Sequence, residues 1–362
     1  MSSEFKTRVL ADIAQLRAIA DEWDGLYERC PGATPFQHPE WIISWAEIFL
    51  PERIRVIEVR SGSMLVGLAP FLIYPRDGEH VLAFMAGGIS DYLDPVVDPQ
   101  CERQVVLAIF QAIQKLDRWT TLDLTDLPAN SVLHRTLLAQ LATPHDQCSS
   151  LLLPKTREEL LQHFSRRQRA NLRQARSRIQ KAGGAIVETA TQATLTEFLE
   201  DLFRLHAMRW LGDGQPGVLA DEKVEAFHRK TAPLLLAKGI LQLHRLRLPQ
   251  QTIAVIYMLL DGATAYCYLQ GYDPDFAGLS PGTYLMFAVI EGAIASGMTK
   301  FDLLRGQEGY KQHWRAQSES THRIQSSRTF ENGVARLNSV AARGPLSLGP
   351  DLLHGIPDLL LL

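Results

Sequence analysis

The stretch Thr264–Glu308, TAYCYLQGYDPDFAGLSPGTYLMFAVIEGAIASGMTKFDLLRGQE, decides the fold. The aromatic-rich run Ala265–Gly271 reads as a strand. Asp, Pro and Gly then mark a turn. An apolar helix begins at Pro281 and stops at Gly297, and a second strand covers Lys300–Leu304. A helix between two strands implies a parallel pair joined by a right-handed crossover. The N-terminus of that helix then points out of the carboxyl edge of the sheet. Its free N–H groups and dipole favour an anion there.

Working outward, strands at Leu241–Leu248 and Ile253–Leu260 precede this unit and complete a meander. Helices lie near Leu195–Trp210 and Asp221–Lys238. A long basic helix, Arg157–Lys181, precedes them and is closed by Gly183-Gly184. The first half of the chain has the same order. Strands at Arg55–Val59, Leu65–Tyr74 and Val81–Ala86 lead through GGISDYLDP to a helix, Arg103–Leu116. A strand at Thr121–Leu124 follows. Each half ends on an apolar strand carrying one acid, Asp123 or Asp302. Two further helices, Ile13–Arg29 and one starting at Pro39, open the chain. The expected fold is α/β with mixed sheets: two similar halves sharing a cleft. The expected division is 1–150, 151–335 and a Leu/Gly/Pro-rich tail, 336–362.

The whole chain agrees with this. Its 362 residues suit about two domains. An apolar content of 46% is enough for two cores, and the net charge of −3 gives no global attraction to nucleic acid or anionic membrane. Cys30, Cys101, Cys148 and Cys267 are far apart and form no CxxC, so neither a disulfide framework nor a zinc site is expected. No metal is expected, because the histidines lack ligand spacing. The opening residues lack an apolar signal core, and no run is long enough to span a bilayer. A cytoplasmic location is expected.

The motifs PFQHPEWIISWAEIF, GGISDYLDP, SRRQRANLRQARSRIQKAGG, LFRLHAMRW and the long block from SPG to HW, in that order, resemble the GNAT superfamily. More narrowly they resemble the BioF2-like acetyltransferase domain of CelD-type, cellulose-biosynthesis-associated proteins. That group is similar to the FemABX tandem-GNAT transferases. The resemblance covers about residues 5–335. It implies direct transfer of an acyl group from a thioester, usually acetyl-CoA, to a nucleophile. The acceptor would be a small metabolite, a sugar or a polysaccharide precursor. An aminoacyl-tRNA donor, as in FemABX-like enzymes, and a non-catalytic scaffold are the alternatives. The pyrophosphate motif common in the superfamily, Q/R-x-x-G-x-G/A, is replaced here by Gly278-Leu-Ser-Pro-Gly-Thr.

Five groups of residues carry candidate chemistry. Gly278, Leu279, Ser280, Gly282 and Thr283 surround the helix start and are expected to hold the donor's phosphates, with Ser280 as the cap and Lys311 nearby. In the basic helix, Arg169 and Arg173 fall on one stripe and offer guanidinium forks to an anionic substrate, CoA phosphates or RNA. A merely solvated face is the plain alternative. His206 and Arg209 share a helix face beside Trp210, and His206 is a candidate base. Asp91, Tyr92 and Asp94 follow a first-half strand and suit a cationic amine. Tyr268, Gln270 and Tyr272 alternate onto one strand face, and Asp302, Arg305 and Glu308 lie at or beyond the next strand's end. The proton acceptor is left open among Asp302, Glu308, His206 and Asp91.

Overall fold

The computed structural model describes residues 5–49, 53–138, 141–212, 214, 216–306, 309–331 and 334–339. The chain divides into two compact units at 146/147 and 319/320. The described part of the first comprises residues 5–146 and those from Ser320 onward; the second comprises Gln147–Glu319.

The first unit opens with β1 (Phe5–Leu10), α1 (Ile13–Ala18), α2 (Ala20–Glu28) and α3 (Pro39–Phe49). The meander β2 (Ile54–Ser61), β3 (Met64–Arg76) and β4 (Glu79–Phe84) follows, with β1 antiparallel to β2. After the short β5 (Val96–Val97), which pairs with β3, the crossover helix α4 (Glu102–Lys115) leads to β6 (Thr121–Leu127). The β4–β6 pairing is parallel and brief, Val81 to Thr121 and Leu82 to Leu122. β7 (Ala142–Leu152) then carries the chain into the second unit.

There, α5 (Arg157–His163), α6 (Arg166–Lys181), β8 (Ile186–Thr189), α7 (Leu195–Gly212) and α8 (Glu222–Ala237) precede a second meander. That meander is β9 (Leu241–Arg247), β10 (Thr252–Asp261) and β11 (Thr264–Tyr272), with β8 antiparallel to β9. The crossover helix is α9 (Pro281–Ala295), and β12 (Lys300–Arg305) lies parallel to β11 over Thr264–Tyr266 only. α10 (Gly309–His313), β13 (Gln317–Glu331) and β14 (Val334–Ser339) complete the described chain. Each sheet closes on a strand from the other sequence half. β7 pairs with β12, and from Ser320 onward β13 pairs with β6.

Burial explains the layering. α9 sets Leu285, Met286, Val289, Ile290 and Ile294 against Ile256, Met258, Phe301 and Leu303 of its sheet. Val105, Val106, Ile109 and Ile113 of α4 do the same in the first unit. Burying one such side chain fully contributes about 1.5–3 kcal/mol. Gly67 lets α4 approach β3, because a Cβ there would meet Val105 Cγ1 at 2.2 Å.

Several expected elements differ. The helix expected over Ile13–Arg29 breaks at Ile19, whose φ/ψ of −109°/6° is not helical. The single basic helix is two. α5 ends at His163, where Phe164 turns extended, and Ser165 caps α6, accepting from Gln168 N while the Gln168 side chain returns to the Ser165 N–H. β1, β5, β7, β8, β13 and β14 have no counterpart among the expected strands.

The four cysteines are free thiols. No helix among the described residues is long and apolar enough to cross a membrane, and no cluster of three His, Cys, Asp or Glu among them is placed to hold a metal ion.

Candidate active site

The second unit contains a cavity of about 570 Å³ at the start of α9. It is lined by Ser280, Pro281, Gly282, Thr283 and Met286, by Gln270 and Tyr272 of β11, and by Gln168, Asn171, Leu172, Gln174 and Arg178 of α6. Arg209 of α7 and Phe164, Tyr310, His313 and Trp314 complete the wall.

Local backbone chemistry builds its anion-facing end. Pro281 fixes the first helical turn and has no N–H. The first helical bond runs from Tyr284 N to Ser280 O at 3.1 Å, so the N–H groups before it lack a helical carbonyl. Ser280 caps the helix differently from expectation. It is left-handed, φ 57° and ψ 50°, and its side chain makes no cap hydrogen bond. Its own N–H is taken by Ala277 O at 2.9 Å. A Cβ on Gly282 would meet nothing closer than Tyr272 Cδ1 at 4.0 Å, so the glycine leaves open space where a ligand can approach the backbone. Gly278 and Leu279 do not line the cavity. Gly278 O accepts from Arg178 Nη1 at 3.1 Å, which fixes that guanidinium beside the helix start, and Leu279 packs on the core.

Strand geometry shapes the opposite wall. β11 runs on to Tyr272 after its parallel ladder with β12 has ended at Tyr266 and Asp302. The two strands therefore part beside the cavity. Opposite Tyr257 and Met258, β11 carries one extra residue, Tyr268. Such a bulge re-aims side chains. Gln270 and Tyr272 reach the cavity, while Tyr268 joins a ring cluster with His228 and Tyr257 at centroid distances of 5.6 and 5.7 Å. Gly271 brings α7 against β11: a Cβ there would lie 2.5 Å from His206 N. That close approach delivers Arg209 to the cavity, where it lies over the Trp210 ring at 5.4 Å.

Several expected site residues lie elsewhere. His206 is buried, and its Nε2 accepts from Trp210 Nε1 at 2.9 Å. Burial, aided by the Arg209 charge, pushes its pKa down to about 3. Asp302 is fully buried. It accepts from Leu304 N at 2.9 Å and pairs with Lys300 Nζ at 2.9 Å. Lys311 is buried too, and donates to the carbonyls of Leu304, Arg305 and Gly306. It locks the end of β12, where Leu304 has a φ of 59°. Arg305 contributes its carbonyl to that lock. Arg169 donates to Leu161 O and Phe164 O at 3.0 and 2.8 Å and, with Arg173, faces away from this cavity. Glu308 lies outside the described residues.

In the first unit the DYLD loop is held by its own packing. Asp94 accepts from Ser131 Oγ and Val132 N at 2.9 and 2.8 Å, and burial pushes its carboxyl up to about 7. Tyr92 is buried against Phe36, and its carbonyl accepts from Gln37. Asp91 is half-buried on the same loop. The start of α4, the counterpart of α9, is acidic: Glu102 sits in its first turn and pairs with Arg135 at 2.6 Å. A carboxylate already complements that helix end.

The sequence reading missed Asn171, Gln174, Arg178, Tyr310, His313 and Trp314. Arg178 was legible in principle, because it lies on a different stripe of α6 from Arg169 and Arg173.

The described cavity residues thus combine a bare helix start, two guanidinium groups, amide donors and an apolar floor, with no carboxylate among them. This arrangement suits a phosphate-bearing ligand with an apolar arm. Residues 166–312 match the family model described as an acetyltransferase (GNAT) domain. Among solved structures the chain is similar to FemX, with a TM-score of 0.63 and 13% identity, covering 88% of this chain and 97% of that one. It is also similar to the C-terminal domain of a putative lysylphosphatidylglycerol synthetase from Agrobacterium fabrum (TM-score 0.57, 13% identity, 85% and 91% covered). L-PGS from Bacillus licheniformis gives 0.55, 13%, 86% and 91%. No curated protein matches the chain. The chain as a whole shares the fold of FemX, and the GNAT match lies within its second unit. Specifically, the chain carries a GNAT acetyltransferase domain and is an enzyme of the GNAT type with a FemABX-like fold.

Proposed function

We propose that the enzyme is an acyl-CoA-dependent N- or O-acyltransferase, with acetyl-CoA as the expected donor and a small metabolite or sugar precursor as acceptor. The observation that carries this reading is the start of α9. Gly282 leaves its backbone approachable, and Arg178 and Arg209 flank it at the same cavity. These groups fit a pyrophosphate, and the gap where β11 and β12 part fits an extended arm. Transfer is direct. The acceptor nitrogen or oxygen attacks the thioester carbonyl carbon, the C–S bond breaks, and the nucleophile's proton ends on the departing thiol. His313, Tyr272 and Tyr310 are the cavity side chains able to relay that proton.

One observation favours an aminoacyl-tRNA donor instead. Arg166, Arg167, Arg173 and Arg176 are exposed on α6 and pair with no acid among the described residues. Thermal melting separates the two readings. Acetyl-CoA at a hundred times its Kd should stabilise the protein by about 2.7 kcal/mol. Stabilisation by aminoacyl-tRNA with none by acetyl-CoA would reject the acyl-CoA reading.

A further inference from the structure

A second concavity, of about 390 Å³, lies between α6 and α9 and shares only Leu172 with the cavity above. Its charge is lopsided. Arg157, Arg169, Arg173 and Arg176 line it, against one acid, Glu291, which already pairs with Arg157. Arg169 has committed one guanidinium nitrogen to the carbonyls of Leu161 and Phe164. Arg173 and Arg176, three apart on one helix face, are exposed and pair with no acid among the described residues. Beside them, Tyr284 and Phe287 of α9 present rings, and the Arg157 guanidinium lies over the Phe287 ring at 5.8 Å.

We propose that this groove is a nucleotide site, with Arg173 and Arg176 holding phosphate and the Tyr284–Phe287 wall receiving the base. Unpaired guanidinium forks match phosphate oxygens, and an aromatic face accepts any base. The volume lies within the range of small-ligand pockets, roughly 300–1,000 Å³. Two sources share this chemistry: the nucleotide end of the thioester donor, in which case the inference rests on the donor reading, or a separate nucleotide.

The test is calorimetric titration of the full chain with adenosine 3′,5′-bisphosphate, ATP, coenzyme A and a single-stranded RNA oligomer. Both arginines are exposed, so Arg173→Gln with Arg176→Gln should fold normally. At least a tenfold loss of adenosine 3′,5′-bisphosphate or ATP affinity in this double variant is expected, with Gly282→Val binding them like wild type. If coenzyme A affinity falls in parallel, the donor's own nucleotide end occupies the groove; if it is unchanged, a separate nucleotide does. Nucleotide binding without any coenzyme A binding leaves this inference standing and removes the donor reading. The proposal is overturned if wild type binds neither mononucleotide. It is equally overturned if the double variant binds them undiminished, or if only the RNA oligomer depends on these arginines.

Discussion

Arg323 donates from Nε and Nη2 to Asp123 Oδ1 and Oδ2 at 2.7 and 2.8 Å, joining β13 to β6 across 200 residues of sequence. Arg76 Nη2 adds a third bond to Asp123 Oδ2 at 2.9 Å, and all three side chains are buried. Burial alone would raise the Asp123 pKa, but the Arg323 hydrogen bonds and the charges of Arg323 and Arg76 outweigh it and hold the carboxyl low. Asp123→Asn leaves two guanidinium groups buried without a counter-charge. It should cost about 3–5 kcal/mol, seen as a lower urea midpoint with an unchanged slope. Because the folded pKa is lowered, the wild-type contribution is fully present above the unfolded value near 3.8 and is lost as pH falls through the folded one.

The buried histidines give a second pH window. Burial holds His206 and His228 near 3 and His244 near 4, against 6.5 for a free imidazole. The unfolded chain therefore binds more protons between these values, and stability falls as pH drops from about 6.5 toward 4. Each such histidine contributes a slope of up to about 1.4 kcal/mol per pH unit. His206→Gln keeps an acceptor for Trp210 but cannot titrate. Denaturant midpoints at pH 7, 6 and 5 should show a shallower decline in this variant than in wild type. An identical decline would contradict the neutral, buried assignment.

Lys311→Met tests whether that ammonium is a structural lock. Loss of the donor leaves the carbonyls of Leu304, Arg305 and Gly306 short of a partner, at a cost of about 3 kcal/mol. Folded variant protein should still bind acetyl-CoA within twofold of wild type. A large loss of affinity at preserved stability would return Lys311 to the donor site.

The sequence made the second unit's crossover legible because Gly278–Thr283 punctuates two apolar runs, and the cavity forms where that pattern points. The duplicated order was legible for the same reason. The strands that close each sheet were not. β7, ATPHDQCSSLL, has no apolar alternation, and its partner β12 lies about 150 residues away, so no local signal announces it. Residue type alone did not tell which charged side chains are buried. Asp302 and Lys311 are charged residues in the right stretch, yet both satisfy backbone groups at the end of β12. Arg169 and Arg173 were placed correctly on one stripe, but Arg178, on another, is the α6 arginine that reaches the α9 start. Spacing gives the stripes of a helix, not which one meets its neighbour.

The most direct test of the donor site is acetyl-CoA affinity in Gly282→Val, measured by titration calorimetry. The new side chain would project beside Tyr272 into open cavity space, so the fold should be preserved while phosphate approach to the α9 start is blocked. At least a tenfold weaker Kd, about 1.4 kcal/mol, is expected, with the melting midpoint of the free protein little changed. An unchanged Kd in a folded variant would contradict this donor site.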